Sequence, residues 1–119
     1  MKVQRGDIVM VDWVFSDRTG SKRRPALVVQ SDVFNQVIDD TILALVTSSA
    51  RRRVGAATQV EIDIATLDGQ QTGLSINSVV QCENLVTLDC NLILRVRGRL
   101  SSTLTQQVDA ALKAALNLA

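Results

Sequence analysis

The 119-residue chain contains no histidine, no tyrosine and only one proline. Without an imidazole, a Ser-His-Asp triad, a Cys-His pair and two-histidine cleavage of RNA are all excluded. Aromatic residues make up only 3% of the chain, so Val, Leu, Ile and Ala must build the core. A composition rich in β-branched residues and poor in aromatics favours a sheet with some helix.

Signals for metals, cofactors and membranes are also missing. The two cysteines, Cys82 and Cys90, form no CxxC pair, and a zinc site would lack its usual histidine ligands. The carboxylates are scattered, and neither a Walker loop nor a GxGxxG motif is present, so we expect no metal and no cofactor. No apolar run is long enough for a membrane span or follows Met1 as in a signal peptide. We therefore expect a cytoplasmic protein whose thiols are reduced and buried.

Hydrophobic patterning predicts a single domain over residues 1–119 that is mainly β with helices. Strands are predicted at residues 8–14, 26–29, 41–47, 58–64, 78–83 and 94–100. Pro25 is expected to open the second strand, where a missing N–H does least damage. Asp68, Gly69 and Gly73 are expected to form turns.

Two helices are expected outside the strands. Asp32 can cap a short helix running towards Ile38. Apolar residues from Leu104 to Leu116 recur at helical spacing, and Thr103 with Gln106 fits a capping box. Together these features predict a small, partly open β-barrel with a short internal helix and a C-terminal helix packed outside.

Basic residues are concentrated in three places, at residues 18–24, 51–53 and 95–99. Most of the 13 basic residues are arginine, whose planar guanidinium can donate two parallel hydrogen bonds to a phosphate. Solvated loops and a solvated strand face are the alternative interpretation. The net charge of only +1 favours neither interpretation.

RNA offers one reaction that needs little from a protein. Its own 2′-hydroxyl can attack the adjacent phosphorus, which leaves a 2′,3′-cyclic phosphate and a free 5′-hydroxyl. A protein must bend the strand into line, neutralise a doubly charged phosphorane and help to move protons. Arginine, a hydroxyl donor and a carboxylate suffice for these tasks, and the chain contains all three.

The segment Lys-Arg-Arg-Pro-Ala-Leu-Val-Val at residues 22–29 resembles the signature of MazF/PemK toxins. Gly6-Asp7-Ile8-Val9 opens the chain as in that family, and residues 41–48 are similar to its strand ending in Thr-Ser. Residues 79–83 and 87–89 match a further block, and Gly98-Arg99-Leu100 precedes the last helix as expected. The ordered set spans nearly the whole chain.

The resemblance implies a fold of the CcdB/PemK type with SH3-like strands, which agrees with the pattern above. It also implies a homodimeric, metal-independent endoribonuclease of a toxin–antitoxin system, which cuts single-stranded RNA and is silenced by a cognate antitoxin. By position, Arg24 and Thr47 match the catalytic arginine and threonine, and Glu83 keeps a carboxylate that can act as base or acid. RNA contacts are expected from Arg18, Ser21, Lys22, Arg23, Ser48, Arg51, Arg52, Arg53 and Gln81.

Two departures from the family pattern stand out. Some members carry Arg-Cys-Asp where this chain has Gln81-Cys82-Glu83, and the loop before the signature is shorter here. Two other functions stay open, a CcdB-like gyrase-binding toxin and an inactive member that only binds RNA or antitoxin. CcdB-type function tends to rest on the end of the final helix, often with a tryptophan, whereas the only tryptophan here is Trp13.

Overall fold

The computed structural model describes residues 2–14, 21–53 and 55–119, with the backbone alone at residues 13, 14, 21, 22 and 51. Six strands form one antiparallel sheet in the order β4-β5-β3-β2-β1-β6. They are β1 (Asp7–Val14), β2 (Ser21–Val28), β3 (Asp40–Ser48), β4 (Gln59–Ile62), β5 (Ser78–Asp89) and β6 (Ile93–Arg99). The helices are α1 (Asp32–Asn35), α2 (Leu67–Gln71) and α3 (Ser102–Leu116).

Both faces of the sheet are buried, which explains the uninterrupted apolar runs in the sequence. Successive side chains of a strand point to opposite faces. Ile8 and Leu27 accordingly join one core cluster, whereas their neighbours Val9 and Ala26 join the other. The first cluster is covered by α3, whose buried residues are Leu104, Val108 and Ala111. The predicted class, a mainly β protein with helices and a sheet that does not close, is confirmed.

Pro25 does not open the second strand but lies in its middle, opposite Met10 of β1. The ladder between β2 and β3 begins only at Ala26, so at Pro25 the strand pairs with β1 alone. Pro25 therefore has no partner residue on β3, and its lack of an N–H removes no hydrogen bond from the β2–β3 ladder. The prediction about Pro25 was wrong because β2 extends back along β1 to Ser21.

Both predicted helix caps were wrong by one or two residues. Ser31 caps α1 by accepting from the Val33 amide at 3.2 Å, while the Asp32 carboxylate accepts from the Arg5 amide at 2.7 Å. That hydrogen bond lowers the pKa of Asp32. Ser101 caps α3 by accepting from the Leu104 amide at 3.2 Å, so the expected capping box does not form. In both places a serine earlier in the chain occupies the cap.

The turn predicted at residues 68–69 is part of a short helix, α2, which Thr66 caps. Gly69 is required there by contact, because a Cβ would lie 1.9 Å from the Asp63 carbonyl oxygen. Gly73 follows the helix with φ of +71°, as a turn glycine should. The strand predicted at residues 78–83 continues to Asp89, and the one predicted at 58–64 shortens to Gln59–Ile62.

Candidate active site

A cavity of about 280 Å³ opens where β2 and β3 separate. Five neighbouring strands contribute to it, in the order β5-β3-β2-β1-β6, and the segment between α2 and β5 closes one side. Its described lining contains arginines, hydroxyls and apolar side chains but no carboxylate. The lining residues are Met10, Arg23, Arg24, Pro25, Val46, Thr47, Ser48, Leu74, Ser75, Ile76, Ser78 and Arg97.

Arg24 and Thr47 meet at this opening. The ladder pairs Ala26 with Leu45, and continuing the same register by two residues sets Arg24 opposite Thr47. The Arg24 Nη1 donates to the Thr47 Oγ1 across 3.4 Å, a long hydrogen bond. Thr47 is buried at 6% exposure and Arg24 is half-buried. A guanidinium and a hydroxyl held side by side can both donate to the oxygens of one phosphate.

Of the other residues expected to contact RNA, Arg23 and Ser48 also line the cavity. Arg23 lies 3.7 Å from the Asp12 carboxylate and stays largely exposed. Arg52 and Arg53 follow a three-residue 3-10 turn at Ser49–Arg51 and lie away from the cavity lining. Arg18 lies outside the described residues, as do the side chains of Ser21, Lys22 and Arg51.

Arg52 and Gln81 have structural partners in this arrangement. The Arg52 Nε is 2.9 Å from the Glu61 carboxylate, so part of its charge is balanced. Gln81 lies within β5, between Leu45 of β3 and Gln59 of β4. It does not line the cavity, and therefore it does not replace the arginine that some family members carry at this position.

Glu83 is not brought together with Arg24 and Thr47. Thr47 pairs with Val79 of β5, and Glu83 comes four residues later, roughly 13 Å along a strand. Its carboxylate instead accepts from the Gln59 Nε2 at 2.7 Å.

The surroundings of Glu83 also weaken it as a base. Partial burial alone would raise the pKa of Glu83, but hydrogen bonds from Gln59, its own amide and Thr58, with the charge of Arg53, bring it below the usual value. A general base works best with a pKa near the working pH. Position and pKa therefore both argue against Glu83 as the proton acceptor at Arg24 and Thr47.

Several cavity residues were not predicted from the sequence, and the most polar of them is Arg97. The sequence places Arg97 in a basic cluster with Arg95 and Arg99 and does not distinguish the three. No sequence pattern marks residues 74–76 as site residues, because the folded path of the segment after α2 brings them to the cavity.

Both cysteines are buried and free, as predicted. Burial raises the pKa of Cys82 to about 11 and that of Cys90 above its usual value, so both thiols stay protonated at neutral pH. In the described chain, no three His, Cys, Asp or Glu side chains cluster closely enough to hold a metal ion.

Across residues 2–14, 21–53 and 55–119, no helix has the length and apolar character needed to cross a membrane.

The described residues thus form a small β protein with an open antiparallel sheet, a helix on one face and an arginine–threonine cleft. The family model described as "PemK-like, MazF-like toxin of type II toxin-antitoxin system" matches residues 4–116. The chain belongs to this family.

The relatives agree in length and fold. Endoribonuclease EndoA of Bacillus subtilis (strain 168) is 31% identical over 121 residues, which covers 99% of this chain and 97% of that protein. A solved endoribonuclease from a mycobacterial species, in complex with its cognate antitoxin, superposes with a TM-score of 0.78 at 22% identity, covering 98% of this chain and 97% of that one. MazE-MazF from Deinococcus radiodurans gives a TM-score of 0.74 at 21% identity over the full length of both chains. The family match favours the RNA-cleaving hypothesis over the CcdB-type hypothesis.

Proposed function

We propose that this chain is a toxin endoribonuclease that cuts single-stranded RNA by attack of the RNA's own 2′-hydroxyl. The single observation that carries the proposal is the Arg24–Thr47 pair at the mouth of a cavity with no described carboxylate in its lining. Such a site suits an anionic substrate, because its fixed donors face a group they can neutralise. EndoA, a relative over nearly the full length, is named an endoribonuclease.

In the proposed reaction the O2′–P bond forms and the P–O5′ bond breaks. The 2′-hydroxyl loses its proton and the departing 5′-oxygen gains one, giving a 2′,3′-cyclic phosphate and a 5′-hydroxyl. The Arg24 guanidinium and the Thr47 hydroxyl donate to the non-bridging oxygens, whose charge grows in the phosphorane. Both interactions strengthen as the transition state forms, so they raise turnover more than affinity.

We propose that residues 1–119 act as one catalytic domain in the cytoplasm, without metal, and that a cognate antitoxin neutralises it. The antitoxin assignment is supported by the mycobacterial and Deinococcus relatives, whose structures were solved as antitoxin complexes. RNA contacts are proposed for Arg23 and Ser48, which line the cavity, and also for residues 18, 21, 22, 51–53 and 81.

We also propose a homodimer. Large apolar side chains are exposed on α1 and just beyond it, with Val33 at 70%, Phe34 at 55% and Val37 at 72% exposure. Exposed apolar groups of this kind are typical of interfaces. Light scattering at micromolar concentration should give twice the chain mass, and a monomer mass that persists on concentration would contradict the dimer.

The activity is tested by incubating the purified protein with a long single-stranded RNA in EDTA and mapping the new ends. We expect cleavage with 5′-hydroxyl termini. Cleavage that stops on chelation and resumes with magnesium would contradict the mechanism, and an intact RNA would contradict the activity itself.

A further inference from the structure

Arg97 reaches the cavity from a different part of the sheet than Arg24. It lies on β6, which is separated from β2 by β1 in the strand order. Its guanidinium packs beside Met10 of β1, and both side chains belong to the cavity lining. The cavity therefore has an arginine from β6 in addition to those on β2.

Within the described part of the chain, the partners of Arg97 leave most of its donors unused. Its Nη1 donates to the Met10 sulfur at 3.8 Å, and a thioether is a weak acceptor. No carboxylate among the described residues lies within ion-pair distance of it. Arg23, which lines the same cavity, is already near the Asp12 carboxylate at 3.7 Å. A half-buried guanidinium whose one acceptor among the described residues is a sulfur favours an anionic ligand.

The backbone at Arg97 is held firmly in place. A Cβ at Gly73 would lie 2.3 Å from the Arg97 carbonyl oxygen, and one at Gly98 would lie 2.5 Å from the Gln71 carbonyl oxygen. These two close approaches pack β6 against the segment that leads from α2 into the cavity wall at Leu74. This close packing sets the position of the Arg97 backbone beside the cavity.

We propose that Arg97 is a second phosphate-binding residue of this site, which holds an RNA phosphate next to the one that is cut. The inference rests on the proposed function, since it assigns the neighbouring part of the same substrate. The cavity of about 280 Å³ is close to the lower end of small-molecule sites, roughly 300–1,000 Å³, which suits a single nucleotide unit. Arg97 is a positioning residue, because Arg24 and Thr47 contact the reacting phosphate. It gives the cavity a cation that Gln81 does not supply.

The test measures binding of a short single-stranded RNA to protein carrying Thr47→Ala, so that cleavage does not interfere. Arg97→Ala in this background should bind about tenfold more weakly at moderate salt. The slope of log affinity against log salt should become shallower by about 0.7, because one phosphate contact is lost. Arg97→Lys keeps the charge and should recover most of the slope.

Arg95→Ala is the matched control. Arg95 lies two residues away on the same strand, is exposed and does not line the cavity. It should leave the slope nearly unchanged. Equal losses for Arg95→Ala and Arg97→Ala, or an unchanged slope for Arg97→Ala in a protein that melts normally, would overturn the proposal.

The same panel separates this inference from the proposed function. In the otherwise wild-type protein, Arg97→Ala should raise KM more than it lowers kcat. If the wild-type protein cleaves RNA and Arg97→Ala matches it in KM and salt slope, only the role of Arg97 is wrong. If the wild-type protein neither binds nor cleaves RNA, both proposals are wrong.

Discussion

Two arginine-containing regions of the molecule differ in what surrounds the guanidinium groups. At the corner where β1 begins and β6 ends, Arg5 lies 2.8 Å from the Asp109 carboxylate and donates to the Val29 carbonyl. Arg99 lies 3.7 Å from Asp7 and also donates to Gln4 and to the Arg5 carbonyl. In the cavity, Arg24 donates to a threonine hydroxyl and Arg97 to a sulfur, with no described carboxylate in the lining.

The two regions differ in the acceptors that lie near the arginines, although the residue type is the same. Carboxylates and carbonyls at the corner satisfy Arg5 and Arg99, so these side chains tie the chain ends to the sheet. The described cavity lining offers hydroxyls and a thioether but no carboxylate, so an added anion can accept hydrogen bonds from its arginines. The sequence alone treats Arg97 and Arg99 alike, although they lie two residues apart.

The largest effect is expected at Thr47. Thr47→Ala removes a hydroxyl that donates to the growing charge, so single-turnover cleavage should slow by about 10²- to 10³-fold. Thr47→Ser keeps the hydroxyl and should retain most of the rate. Both variants should melt close to the wild type, and a wild-type rate for Thr47→Ala would remove this residue from the reaction.

A smaller effect, on binding rather than turnover, is expected from the loop at residues 51–53. Replacing Arg51, Arg52 and Arg53 with Ala should make the slope of log RNA affinity against log salt shallower by between about 1 and 2, because fewer counterions are released. Arg52→Ala alone should change little, since Glu61 already pairs with Arg52. An unchanged slope in the triple variant would identify the three as solvated charges without a role in RNA binding.

A still smaller effect is expected at Glu83. Glu83→Gln should change the cleavage rate by less than about threefold, well below the hundredfold or more of a general base. The reason is the distance along β5 from Thr47 and the partnership with Gln59. A hundredfold loss with intact affinity would restore Glu83 as proton acceptor, and the pH–rate profile would then report its titration.

The smallest effect on activity, none at neutral pH, is expected at Cys82. Burial raises the pKa of Cys82 from 9.0 to about 11, so the folded protein keeps a proton that the unfolded chain loses above pH 9. Stability should therefore fall as pH rises from about 9 to 11. Urea unfolding of the wild type and Cys82→Ala across this range checks the sign, since the variant should lose less stability.

Much of the fold was predictable because its strands are apolar on both faces. Residues 41–47 read as a buried strand and form most of β3, and the C-terminal helix follows from its spacing. The second half of β5 was missed because exposed residues such as Asn84 and Thr87 interrupt the apolar pattern. The short helix α2 was missed because a glycine such as Gly69 signals a turn. In the structure, Gly69 instead leaves room for the Asp63 carbonyl to lie close to the helix.

The site was predictable only where strands end next to each other. Arg24 and Thr47 flank apolar runs that pair in the sheet, so their meeting follows from the register. The contribution of Leu74 and Arg97 depends on how the segment after α2 packs against β6, and no local pattern encodes that contact. The placement of Glu83 depends on a bulge between β3 and β5, which the sequence also does not reveal.

The proposed catalytic role of Arg24 and Thr47 is tested by comparing Arg24→Ala with Arg99→Ala in single-turnover cleavage of one RNA in EDTA. Arg24→Ala should cleave about 10²- to 10³-fold more slowly while melting like the wild type. Arg99→Ala should cleave within about threefold of the wild type and melt a few degrees lower, because it loses the corner contacts. A wild-type rate for Arg24→Ala, or an equally large loss for Arg99→Ala, would rule out the catalytic role proposed for the Arg24–Thr47 pair.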